Sequence, residues 1–123
     1  MRWGFAIVAA ALLGSVPTQA MSVADFLAKA AALKAKGMGA MFAPELKQLR
    51  SEMEGVSTAY RADLARQKAA GQAPHSCPPP KGKAKIGPRE LLGDFQAIPP
   101  AQRATTSVKD AFYGTMKRRY PCR

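Results

Sequence analysis

The sequence predicts an all-α fold, a small bundle of about four helices stapled by one disulfide. Three observations carry that expectation. Apolar residues recur at steps of three and four along four stretches, and no stretch alternates apolar and polar residues over a useful strand length. Each of the four opens on a recognisable helix start. Two cysteines, Cys77 and Cys122, bracket the last two stretches.

The first helix starts at Ser22-Val23-Ala24-Asp25. The Ser22 hydroxyl suits the cap, and Asp25 favours the positive helix end. Val23, Phe26, Leu27, Ala30 and Leu33 form its stripe, and Gly37 and Gly39 end it. The second and longest helix opens on Pro44 with Glu45 in its first turn, and persists to about Ala70. Its stripe is Leu46, Leu49, Met53, Val56, Tyr60 and Leu64, with Arg50 and Glu54 spaced for a weak pair.

Residues 71–87 read as a loop dense in glycine, proline and lysine. Pro88 opens a short third helix with Leu91, Leu92, Phe95 and Ile98 on its apolar face, weakened by Gly93 and stopped by Pro99-Pro100. Ser107-Val108-Lys109-Asp110 repeats the Ser22 start signal. The fourth helix carries Val108, Ala111, Phe112, Thr115, Met116 and Tyr120, and Pro121 ends it.

The opening MRWGFAIVAAALLGSVPTQA has the layout of a secretory signal peptide. Arg2 gives a positive start, Gly4 to Leu13 are uncharged and apolar, and Thr18-Gln19-Ala20 offers small residues at a cleavage site. Residues 1–20 are therefore expected to be removed, leaving a single helical domain over 21–123, exported to the periplasm. No later segment approaches the roughly 18 apolar residues of a membrane span. Losing Arg2 reduces 19 basic residues to 18 against 8 acidic ones, a net charge of +10. Inside a cell such an excess suggests nucleic acid; after export it points to anionic lipid or acidic protein instead.

Export also decides what the cysteines mean. An even count in an oxidising compartment favours a structural bridge between Cys77 and Cys122, which closes the C-terminal half on itself. A loop of that size contributes roughly 4 kcal/mol. The close C-x-x-C pair of a redox site is absent. His75, the only histidine, lacks the companions that zinc or a catalytic triad requires, and reads as a solvated loop residue. The chain is accordingly expected to be a non-enzyme with no cofactor and no metal.

Two basic runs remain, Lys81, Lys83 and Lys85, and Lys117, Arg118, Arg119 and Arg123. Either they solvate a loop and a helix end, or the disulfide joins them into one patch for an anionic partner. The run lacks the interleaved aromatics of a nucleic-acid surface.

The C-terminal half also resembles a known family. Cys77-Pro78-Pro79, a short helix with Leu91, Leu92 and Phe95, then Ile98-Pro99, Arg103 and a closing Tyr120-Pro121-Cys122 are similar to the Rap/Tai-type immunity proteins. These are small exported helical proteins that protect bacteria from type VI secretion amidase effectors. The resemblance spans residues 75–122. It implies a helical periplasmic domain with this disulfide, and a cell-wall amidase partner inhibited by occlusion of its active site. Ile98, Pro99, Pro100 and Arg103, with the basic patch, are then the expected contacts. The competing expectation is a basic envelope-associated accessory protein or chaperone that docks on anionic lipid or acidic protein surfaces.

Overall fold

In a computed structural model that describes residues 20–123, five helices follow in order: α1 Val23–Lys36, α2 Pro44–Ala69, α3 Pro88–Gln96, α4 Pro100–Arg103 and α5 Val108–Arg119. The signal-peptide assignment falls almost wholly on residues 1–19, outside the described part. The fold is all-α. Among the described residues there is no strand, only an isolated antiparallel bridge between Ser22 and Ser107.

The helix starts form as their chemistry dictates. Ser22 Oγ accepts the Asp25 N–H at 3.1 Å, and Ser107 Oγ accepts the Asp110 N–H at 3.0 Å. Proline occupies the first turn of α2 and of α3, where a missing N–H costs nothing. Gly93 does not interrupt α3.

Two short turns add to the four expected helices. Gly37, at φ 55°, ends α1, yet Gly37–Phe42 then continues as a 3-10 helix, so Gly39 lies inside an ordered turn. Pro99-Pro100 stop α3, but Pro100 also opens the single turn α4. Proline is unwelcome inside a helix and well suited to the first position of the next.

Both halves of the chain share one core. Val23 and Phe26 of α1, Leu49, Val56 and Tyr60 of α2, Phe95 of α3, and Val108, Phe112 and Met116 of α5 are buried in a single cluster. Phe26 meets Phe95 edge-on with ring centroids 5.2 Å apart, and Tyr60 meets Phe112 likewise at 5.5 Å. Burying each of these side chains stabilises the fold by about 1.5–3 kcal/mol before entropy is counted. The N-terminal helices thus pack on the C-terminal half rather than forming a separate hairpin.

The disulfide joins Cys77 to Cys122, with Cα atoms 5.0 Å apart at a sequence separation of 45. Tyr120 reinforces that junction. Its carbonyl accepts the Cys77 N–H at 2.8 Å, and its hydroxyl accepts the Lys85 N–H at 3.0 Å.

Candidate functional site

An apolar groove of about 640 Å³ lies along α2. Its floor is made of buried side chains, Phe26, Leu49, Tyr60, Phe112 and Met116. Its walls are Leu46 and Met53 on one side, and Ile86, Leu91 and Leu92 on the other, all only half-buried. Apart from Ile86, which lies in the loop, these wall residues belong to the stripes expected to be core. They remain partly uncovered because α3 and residues 84–88 stand off α2 instead of closing over it. No Asp, Glu, His or Cys lines the groove; its polar members are Arg50, Ser57, Tyr60 and Arg61.

The cations of this groove lack carboxylate partners among the described residues. The weak Arg50–Glu54 pair expected from spacing does not form; Arg50 is exposed at the groove rim. Arg61 is half-buried and held in place. Both terminal nitrogens donate to the Pro79 carbonyl at 3.3 Å, and its guanidinium lies 5.8 Å from the Tyr60 ring centre. The Tyr60 hydroxyl is engaged beneath the groove by the buried Ser76 hydroxyl.

A second feature was not legible as a site in the sequence. The 3-10 turn between α1 and α2 leaves Met38, Met41 and Phe42 at 95%, 78% and 91% exposure. Three large apolar side chains at one tip are unusual on a small soluble surface. Lys34 is exposed near the end of the preceding helix, Lys36 is paired with Glu45 at 2.7 Å, and Lys47 shares a shallow depression with Met41 and Phe42. Leu46 and Arg50 line both that depression and the groove, so the tip runs continuously into it.

The two basic runs meet only in part. Lys83, Lys85 and Arg119 line one depression of about 480 Å³ with Pro79, Ile86 and Tyr120. Lys81, Lys117 and Arg118 are exposed but do not line it. Arg119 is tied to Asp94 by a two-pronged ion pair, 2.9 Å on each arm. That hydrogen-bonded guanidinium holds the Asp94 carboxyl below its usual range, and the carboxylate in turn raises Arg119. The net free charge of the patch is therefore smaller than its sequence suggests.

The expected partner contacts sit at the α3–α4 junction. Ile98 is half-buried and packs against the core, while Pro99 and Pro100 are exposed. Arg103 turns inward on the backbone, its Nε donating to the Ile98 carbonyl at 2.9 Å and one terminal nitrogen to the Gln96 carbonyl at 2.6 Å. It satisfies carbonyls that the end of α3 leaves without helical partners.

No protein-family model, curated protein or solved structure matches this chain. Its site must be read from its own residues.

The loop residues complete that reading. Cys77 and Cys122 are bridged. His75 is corrected from a solvated residue to a packed one. Its backbone N–H donates to Gln67 Oε1 at 2.8 Å, and its ring lies 5.5 Å from that of Tyr113. Tyr113 in turn donates to Asp63 at 2.5 Å, and burial raises its hydroxyl above the usual tyrosine range. These contacts fix residues 74–79 against α2 and α5.

Proposed function

We propose that this protein is an exported, non-enzymatic binding protein that docks on an anionic membrane surface of the periplasm. The observation that carries the reading is the exposed Met38-Met41-Phe42 tip with lysines beside it. Apolar side chains enter the boundary between headgroups and acyl chains, and nearby cations are drawn to anionic headgroups. The excess of basic over acidic residues adds a long-range attraction of the same sign. Binding rather than catalysis fits a groove without histidine, cysteine or carboxylate.

The immunity-like inhibitor reading rests on residues 98–103 and the basic runs. Arg103 and Arg119, the two cations most central to it, are committed to Gln96, Ile98 and Asp94. The anionic-surface reading therefore stands first.

Sedimentation with vesicles of phosphatidylglycerol and phosphatidylcholine tests it. Association with the anionic vesicles at low salt should weaken as salt rises. Replacing Met38, Met41 and Phe42 together with serine should weaken it at least about tenfold. Equal binding to neutral vesicles, or none at low salt, rejects the reading.

A further inference from the structure

We infer that the groove along α2 is a binding site for one single-chain lipid with an anionic head, its tail lying on the apolar floor and its head held by Arg61. Four observations converge on that ligand. The volume, about 640 Å³, falls within the range of small-ligand sites, roughly 300–1,000 Å³. The lining from Leu46 to Tyr60 is mainly apolar, broken by Arg50 and Ser57, over roughly 21 Å along the helix axis at 1.5 Å per residue. That suits an extended acyl chain better than a compact ring system.

Of the two groove cations, only Arg61 is oriented in advance for an anion. Arg50 and Arg61 stand eleven residues apart, close to three full turns, so they share a face of α2 but lie roughly 16 Å apart. One head cannot reach both. Arg61 is the half-buried one, already oriented by the Pro79 carbonyl and the Tyr60 ring, with N–H donors left over. A guanidinium held in this way matches the paired oxygens of a carboxylate or phosphate. No acidic side chain lines the groove to neutralise it or to repel an anion.

The opposite end leads out past Leu46 and Arg50 to Met41 and Phe42. Leu46, Met41 and Phe42 give a tail an apolar edge to follow there, beside the polar side chains of Lys47, Arg50, Ser51 and Glu54. The inference does not require docking on a bilayer, and its test uses none.

The experiment is titration of the purified protein with fatty acids and lysophosphatidylglycerols below their micelle-forming concentrations, followed by calorimetry and native mass spectrometry. One lipid per chain is expected. Affinity should rise roughly threefold to fourfold per added methylene until the groove is filled. The uncharged monoacylglycerol of equal length should bind at least tenfold more weakly. Arg61→Gln should remove that preference for the anionic head, and Arg61→Lys should restore part of it. Lys68→Gln, at an exposed α2 cation outside the groove, should change affinity less than twofold. Leu92→Trp, which fills the groove from its wall, should abolish uptake of both lipids, with circular dichroism confirming retained helix.

Saturable uptake of either head chemistry with these dependences supports the assignment. Equal affinity for neutral and anionic lipids, affinity flat with chain length, or exclusion of lipid by a second copy of the chain seated in the groove overturns it. Lipid uptake without vesicle association would reject the membrane-docking reading and leave the groove assignment standing; the reverse result would do the opposite.

Discussion

Ser22 and Ser107 face each other as an antiparallel bridge, and each is the N-cap of its helix. The Val23 N–H donates to the Thr106 carbonyl at 2.8 Å, and the Val108 N–H donates to the Met21 carbonyl at 2.9 Å. The repeated Ser-Val-x-Asp signal thus marks two helix ends that are zipped to one another. Val23 and Val108, next to the caps, are both fully buried.

Removing either cap should cost stability without moving the bridge. Ser107→Ala is expected to lower the unfolding free energy by about 1 kcal/mol, whereas Ser107→Gly should cost only a few tenths. Urea denaturation followed by circular dichroism reads the difference. The double variant with Ser22→Ala should deviate from the sum of the two singles, because the caps are in contact.

The disulfide prediction is larger. Replacing Cys77 and Cys122 with serine removes a closure worth about 4 kcal/mol in the chain-entropy account. For a chain of this size that corresponds to a fall in melting temperature of about 15 °C or more. Reductant should reproduce the fall in the native protein. Equal melting curves with and without reductant would show that Tyr120 and the helix contacts hold the junction by themselves.

How much of this was legible in the sequence follows from how local each signal is. The helix starts at Ser22, Pro44, Pro88 and Ser107 depend on neighbours within one turn, so composition reveals them. The stripes were legible because a 3.6-residue period identifies an apolar face. The same period cannot say what covers that face. Leu46, Met53, Leu91 and Leu92 carry the right spacing yet line an open groove, while Val56 and Tyr60 in the same stripe are buried. Met38, Met41 and Phe42 belong to no period at all, and only the turn geometry makes them a tip. Cation roles were the least legible. Arg119 finds Asp94 twenty-five residues away, and nothing in either local sequence announces it.

That pair yields a pH dependence with a defined sign. The Asp94 carboxyl is held below its ordinary value of 3.8, chiefly by the hydrogen bonds from Arg119. A carboxyl depressed in the folded state stabilises the fold fully above its unfolded value and loses that contribution as pH falls through the folded one. Asp94→Asn should therefore be less stable than the native protein near neutrality. The gap between them should close as the pH is taken below 3.8. A gap that stays constant into acid would mean the ion pair contributes nothing through charge.

Arg103 separates a role in the fold from a role in recognition. Its side chain bonds two backbone carbonyls, Gln96 and Ile98, at the end of α3, with the planar fork that a guanidinium offers and an ammonium does not. Arg103→Ala should lower stability by about 1–2 kcal/mol, and Arg103→Lys should recover little of it despite keeping the charge. If Arg103 instead acted as a free cation for a partner, both variants would unfold like the native protein in urea. Lysine would then retain most of the interaction. The exposed Pro99 and Pro100 beside it provide the control, since a partner seated on this turn must touch them and the fold makes little use of their surfaces. Loss of stability in the Arg103 variants, with none on replacing Pro99 by alanine, would assign the arginine to holding α3 and α4 together.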